Sequence, residues 1–365
     1  MHIGDYLGRR EIYSPDKLAI VDVGKKPELR LTYRQWNRRV NRLARWLADV
    51  AGVGKGDRVA IMARDGVEHL DLLYACGKLG AIHTALNWRL HWRELADLIA
   101  NTEPKALLYS DDFRPAVTEI QAALPEISDH RSPLTDHGSR LTDHAPRNTQ
   151  YAIRHYLHLD GPGIPGSLPY QSTLDQSTDL PVTCESLVPE DIACLLFTGG
   201  TTGLSKAAMI SHRQICWNAF NTFIHDLHND DVYLCVYPLF HAGGLFAYIS
   251  SQIIFGNTTI LTRQFDPAQV LDLIQRERVT VFAGVPTMYQ MLTQAPNWRT
   301  SDLSSLRFST SGGAPLPVPL IEQYTREKGI RFKQGFGMTE FGPDLFALSP
   351  EDAIRKAGKI GRAHV

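Results

Sequence analysis

The chain has 365 residues, 43% hydrophobic and 21% charged, proportions of an ordinary globular protein that exclude disorder, collagen-like repeats and coiled coils. Its length asks for two or three substructures rather than one core. With 38 basic and 39 acidic side chains the formal charge is −1, so no global field favours nucleic acid and a charged partner must be recognised locally.

The first clear element is a helix over 32–50, where Tyr33, Trp36, Val40, Leu43, Ala44 and Leu47 recur at helical spacing behind Thr32 as N-cap. At ~100° per residue its other face gathers Arg34, Arg38, Arg42 and Arg45 into an arc of roughly 80°. Such a stripe is either an ordinary solvated face or a peripheral contact with an anionic membrane. A strand over 58–62, a helix over 67–79, a short strand over 81–86, a helix over 91–99 and a strand over 106–109 follow. This alternation predicts parallel pairing through right-handed crossovers in a doubly wound layer.

Residues 111–190 break the rhythm with Pro, Ser, Thr, Asp and His, and read as a surface insertion or linker. Within it, Asp129-His130, Asp136-His137 and Asp143-His144 form a seven-residue series. Pro133, Gly138 and Pro146 interrupt the helix that would align these pairs, which favours a solvated loop over a metal site. Gly161-Pro162-Gly163-Ile164-Pro165-Gly166 matches G-x-G-x-x-G in letters but has neither a strand before it nor a helix after it.

From residue 192 the alternation resumes. Strands are expected over 192–197, 232–237, 258–261, 279–283, 306–310 and 331–333, with helices over 213–223, 245–254, 267–277, 286–294 and 317–328. The uncharged stretch 242–262 is interrupted by Gly243, Gly244, Gly256 and Asn257 and reads as helix, turn and strand rather than a membrane span. The five cysteines include no C-x-x-C pair, which fits neither a disulfide framework nor a zinc knuckle and suits a reducing cytosol. No apolar stretch of signal-peptide length opens the chain, so a cytoplasmic location is expected.

Four segments carry chemistry. The strand ending at Phe197 runs into Thr198-Gly199-Gly200-Thr201-Thr202-Gly203-Leu204-Ser205-Lys206. Glycines admit backbone N–H groups to an anion, hydroxyls add donors and the lysine adds a charge, a composition suited to polyphosphate. It is not a Walker A loop, because Leu204 and Ser205 separate the last glycine from Lys206. Gln334-Gly335-Phe336-Gly337-Met338-Thr339-Glu340 is expected just after a strand, where ligands collect in open α/β sheets. Phe336 offers a face for a nucleobase, Thr339 a hydroxyl and Glu340 a carboxylate for Mg²⁺. Ser311-Gly312-Gly313-Ala314-Pro315 is a strand-to-helix turn on which a flat ring can lie, and Pro238-Leu239-Phe240-His241 sets one histidine among apolar residues.

In this order and spacing the four segments resemble the adenylate-forming superfamily over nearly the whole chain, and most closely the fatty acyl-CoA synthetases. The phosphate loop departs from the usual pattern at Gly199, Ser205 and Ala207, and Phe336 stands where the family often has Tyr. The resemblance implies an α/β fold of two doubly wound subdomains, 1–180 and 181–340, packed together, with 341–365 opening a small β-barrel. The family's mobile C-terminal domain, with its catalytic lysine, is expected to be absent. It further implies attack of a carboxylate, expected to be a medium- to long-chain fatty acid, on the α-phosphorus of ATP. Acyl-AMP and pyrophosphate result, and the acyl group then passes to CoA. Lys206, Thr339, Glu340 and His241 are the expected catalytic set, with Glu340 holding Mg²⁺. ATP and AMP are expected on 198–203, Lys206, Gly313, Ala314, Pro315 and 334–339, with His241 at the mouth of the acyl pocket. An acyl-AMP ligase serving a carrier protein, and a catalytically silent nucleotide-binding module, are the alternatives.

Overall fold

The computed structural model describes residues 2–129, 153–199, 205–223, 225–356 and 362–363. Sixteen strands among the described residues form two sheets. In chain order they are β1 (Leu18–Asp22), β2 (Leu29–Thr32), β3 (Arg58–Met62), β4 (Ile82–Ala85), β5 (Ala106–Tyr109), β6 (His155–His158), β7 (Leu168–Pro169) and β8 (Ile192–Thr198). Then come β9 (Lys206–Ser211), β10 (Val232–Cys235), β11 (Thr258–Leu261), β12 (Val281–Gly284), β13 (Phe308–Ser311), β14 (Phe332–Met338), β15 (Gly342–Leu348) and β16 (Arg362–Ala363).

The seven-stranded sheet runs β7-β6-β5-β3-β4-β8-β9 and the nine-stranded sheet β16-β15-β14-β13-β12-β10-β11-β1-β2. The α/β class and the parallel pairing expected from the sequence are present. β3, β4, β5 and β8 pair in parallel in one sheet, and β10 to β14 in the other. Strands such as Ala106–Tyr109 and Thr258–Leu261 are buried along their whole length, as expected where helices cover both faces. Thr32 caps the helix Tyr33–Asp49 in a capping box with Gln35. Every residue of the helix Val67–Leu79 is buried, its charged Glu68, Asp71 and Lys78 paired with Lys25, Arg39 and Asn37.

The division at residue 180 does not follow the sheets. β1 pairs in parallel with β11, Ile20 opposite Thr259, so the N-terminal strands join the nine-stranded sheet. β8 pairs in parallel with β4, His83 opposite Cys194, so the strand leading to the phosphate loop joins the seven-stranded sheet. The two halves interlock by exchanging strands. Nor do 342–348 and 362–363 start a separate barrel in the described residues: β15 and β16 add antiparallel strands to the edge of the nine-stranded sheet.

Residues 111–190 are more structured than their composition suggests. The helix Arg114–Asp129 buries Val117, Ile120 and Leu124 against Leu107 and Tyr109, and β6 pairs in parallel with β5. The Asp-His series lies outside the described residues from His130 on. Among the described residues no group of three or more ligating side chains could hold a metal. Gly161 and Gly163 take φ of 66° and 70° in a turn where an added Cβ would meet Asp111 and His158, so these glycines serve chain reversal.

Three of the four arginines of the stripe have partners within the protein, while Arg34 and Arg38 remain 44% and 55% exposed. Arg38 lies 3.3 Å from Glu11 and 3.9 Å from Asp179, and Arg34 lies 3.4 Å from Asp16. Arg45 donates to the carbonyls of Leu180 and Pro181 at 3.2 and 2.7 Å. Among the described residues no helix is long and apolar enough to cross a membrane.

Candidate functional site

Strand order reverses between β3 and β5 in the smaller sheet and between β10 and β12 in the larger. Crevices outside the carboxyl ends of strands at such reversals are where open α/β sheets bind ligands. The segment Pro238-Leu239-Phe240-His241 follows β10, and Arg64 and Asp65 follow β3.

The phosphate segment is a hairpin. β8 and β9 are antiparallel with Thr198 opposite Lys206, and Thr198 Oγ1 donates to the Lys206 carbonyl at 3.4 Å. Gly199 and Lys206 are exposed. Gly200, Thr201, Thr202 and Gly203 lie outside the described residues. Beyond β9 the helix His212–Phe223 begins with reciprocal bonds between Ser211 and Gln214, at 2.8 and 3.2 Å. Gln214 Nε2 then donates to the Glu340 carbonyl at 2.8 Å. One residue thus ties the hairpin of the smaller sheet to the Glu340 turn of the larger.

The 311–315 and 334–340 segments lie side by side, since β13 and β14 are parallel neighbours with Ser311 opposite Gln334. Gln334 holds the first loop: Oε1 accepts the Leu316 N–H at 3.1 Å and Nε2 donates to the Ala353 carbonyl at 3.2 Å. Gly313, Ala314 and Pro315 are exposed, leaving backbone open to a flat ring. The second segment is not a loop after a strand, as expected, but the strand itself. β14 continues through Met338 and turns into β15 at Thr339 and Glu340. An added Cβ on Gly337 would sit 2.2 Å from the Pro343 backbone, so the hairpin requires glycine there. Phe336 is 37% exposed and lies 5.9 Å, ring to ring, from Phe346. The exposed Glu340 stands alone as a carboxylate in this turn. A single carboxylate beside substrate phosphates is the usual protein share of a Mg²⁺ site, so the residues fit that ion.

Leu239 and Phe240 are buried while His241 is exposed at the start of the helix Ala242–Leu245, which packs against β15. Partial burial and the positive charge of Arg89 hold the His241 imidazolium below its ordinary range, so the ring is neutral at pH 7. Its loop is fixed from the other sheet: Asp65 Oδ1 accepts the Leu239 N–H at 2.7 Å. Burial pushes the Asp65 carboxyl up to about 7 against the opposing effects of that hydrogen bond, Arg89 and Arg64. Arg64 lies 4.1 Å over the Trp88 ring, and Arg89 5.0 and 5.4 Å over Trp88 and Phe240. These contributors were not singled out from the sequence. The rule about carboxyl ends of strands, applied to the strand at 58–62, would have found Asp65.

Comparison with known proteins adds four findings. The model of a family described as AMP-binding enzyme matches residues 10–365. The chain is 35% identical over 360 residues to a feruloyl-CoA synthase of Amycolatopsis sp, covering 98% of this chain and 64% of that protein. It is 32% identical to the indoleacetate–CoA ligase of Aromatoleum aromaticum, covering 100% of this chain and 65% of that one. Among solved structures, the N-terminal domain of FACL13 from Mycobacterium tuberculosis superposes with a TM-score of 0.83 at 28% identity, covering 100% of this chain and 82% of that one.

Proposed function

The chain belongs to the AMP-binding enzyme family, and from that premise we propose that it binds ATP and a carboxylic acid and joins them as acyl-AMP, for transfer to CoA by the whole protein. The chain spans 64% of the length of its feruloyl-CoA synthase relative, so the thioester step is assigned to the longer protein. The observation that carries the reading is the Gln214 bond to the Glu340 carbonyl, which unites the hairpin bearing Lys206 with the paired 311–315 and 334–340 segments.

In this arrangement a carboxylate oxygen attacks the α-phosphorus, an O–P bond forms, and the bond to the β-phosphate breaks to release pyrophosphate. Lys206 and the hairpin donors hold the outer phosphates and take up the charge that builds on pyrophosphate. Glu340 would hold Mg²⁺, which supplies further neutralisation of phosphate charge. Gly313, Ala314 and Pro315 offer backbone to the adenine, with Phe336 on the adjoining strand. Neutral His241 stands at the acid's entrance and adds no positive charge to compete for the carboxylate. The relatives' names span feruloyl, indoleacetate and long-chain fatty acid, so the acid must be read from the pocket itself.

Calorimetric titration with MgATP and with a non-hydrolysable acyl-sulfamoyl adenosine tests the reading. Saturable binding of both is expected, the analogue tighter because it fills two subsites at once. Absence of binding by either at millimolar concentration refutes it.

A further inference from the structure

Glu340, the carboxylate assigned to Mg²⁺, sits in a turn that stands largely clear of the core. Phe341 beside it is 65% exposed and Met338 before it 42%, so apolar burial contributes little to the turn's orientation. Two hydrogen bonds orient it instead. The Phe341 N–H donates to the Met338 carbonyl at 3.3 Å, and the Glu340 carbonyl accepts from Gln214 Nε2 at 2.8 Å. That N–H and that carbonyl belong to one peptide, the one following Glu340, so its plane is held at both ends. The backbone turns only about the dihedrals that flank such a plane. Holding it therefore constrains ψ of Glu340 and the direction in which the side chain leaves the turn. The exit from the turn is equally close-fitting: Gly342 takes φ of 99°, and an added Cβ there would lie 2.7 Å from Asn218 Oδ1.

Gln214 suits this task because the other end of its amide is already committed. Oε1 accepts the Ser211 N–H at 2.8 Å while Ser211 Oγ accepts the Gln214 N–H at 3.2 Å. This reciprocal cap leaves the NH₂ end of the amide to reach across to the larger sheet. The helix His212–Phe223 is fastened to the same side at the two following turns. Asn218 Nδ2 donates to the Phe246 carbonyl and Thr222 Oγ1 to the Ala247 carbonyl, both at 3.0 Å. Gln214, Asn218 and Thr222 thus form a stripe of donors, each one turn from the next, on a helix that begins at the phosphate hairpin. Asn218 and Thr222 are buried and anchor the helix. Half-buried Gln214, in its first turn, is the one that meets the Glu340 carbonyl.

Resting on the adenylation reading above, we propose that Gln214 is a positioning residue for Mg²⁺. By holding the Glu340 carbonyl it aims the Glu340 carboxylate at the phosphates held by Lys206, although it touches neither the ion nor the nucleotide. Its helix continues the strand that opens with Lys206, so one short segment of chain places the lysine and, through a single bond, the carboxylate.

The test compares Gln214→Met and Gln214→Glu, each made in the wild type and in Glu340→Gln. Met keeps the side-chain length without its polar end, and Glu keeps the oxygen that caps Ser211 while removing the donor. Calorimetric titration with ATP over a range of Mg²⁺ should show the half-saturating Mg²⁺ raised about fivefold by either change, the scale of one hydrogen bond between neutral groups. In Glu340→Gln the same changes should shift it by less than about twofold, because the bond then has no carboxylate to aim. AMP binding without Mg²⁺ should be unaltered. Amide exchange in the ligand-free protein reads the turn without any metal, and the Phe341 N–H should exchange faster in Gln214→Met. Superimposable Mg²⁺ titrations for Gln214→Met and wild type, an equal shift in Glu340→Gln, or unchanged exchange at Phe341 overturns the inference while leaving adenylation standing. Loss of AMP binding to the same extent as MgATP marks Gln214 as merely structural and overturns it too. A wild-type chain that binds neither ATP nor AMP overturns adenylation and the inference together.

Discussion

Replacing Asp65 by Asn separates two things this residue does. Asn retains an oxygen to accept the Leu239 N–H, now 2.7 Å away, and removes the ionisation. Burial raises the Asp65 carboxyl from 3.8 to about 7, so between those values the folded protein holds a proton that the unfolded chain has released. Stability supplied by that proton is fully present below about pH 4 and is lost as pH rises toward 7. Three units at ~1.36 kcal/mol each set an upper limit of about 4 kcal/mol. Asp65 retains some exposure to water, which reduces the expected loss to about 1–2 kcal/mol. Thermal unfolding followed by circular dichroism at pH 4.5 and pH 8, at one ionic strength, reads this directly. Asp65→Asn should melt close to wild type at the lower pH and a few degrees above it at the higher. Asp65→Ala should melt lower at both, because a buried N–H left unpaired costs about 1–3 kcal/mol. Equal displacement of Asp65→Asn at the two pH values, or a lower melting point at pH 8, refutes the assignment of a buried, proton-holding carboxyl.

Lys206→Ala should weaken MgATP binding by tenfold or more, since a charge-assisted contact to phosphate is typically worth ~1.5–3 kcal/mol, while AMP, lacking the outer phosphates, is affected less; equal losses in calorimetry would contradict the placement of Lys206. Glu340→Gln keeps shape and removes charge, so the Mg²⁺ dependence of nucleotide binding should shift to higher concentration, and superimposable Mg²⁺ titrations would remove Glu340 as a ligand. Arg38→Glu combined with Arg42→Glu should lower the melting temperature slightly, because Arg38 faces Glu11 and Asp179 and exposed pairs are worth only ~0–1 kcal/mol. Salt-sensitive sedimentation with anionic vesicles, abolished by that double change, would assign a membrane role to the stripe.

What the sequence disclosed depends on whether a signal is local. β3, β5 and β11 match the strands expected at 58–62, 106–109 and 258–261, because their continuous apolar runs are the direct consequence of burial on both faces. The glycine-rich segments were legible for a related reason: close approach to a ligand restricts which residues fit, whatever the rest of the fold does. The helix Arg114–Asp129 was hidden by Pro115 and Pro125, although Val117, Ile120 and Leu124 already kept helical spacing. β1 is short, and its parallel partner β11 is remote in sequence, so no window of ordinary length contains both. Asp65 lies 174 residues from the Leu239 N–H that it accepts; neither residue by itself indicates the pairing.

These non-local contacts place the candidate site. Had the chain divided at residue 180, the phosphate hairpin would have stood on the same sheet as the 311–315 and 334–340 segments, and Lys206 and Glu340 would need no further link. Instead β8 and β9 belong to the smaller sheet, and among the described residues Gln214, at the start of the helix after β9, bonds the Glu340 turn. The His241 loop shows the same arrangement in reverse, rising from the larger sheet and fixed by Asp65 of the smaller. Each sheet therefore holds in place a motif carried by the other. A change in the angle between the sheets would move Lys206 relative to Glu340 and strain the Asp65 contact at the same time. The strand exchange by β1 with β2 and by β8 with β9 resists that change, since the chain crosses between the sheets at each exchange and would have to follow any rotation.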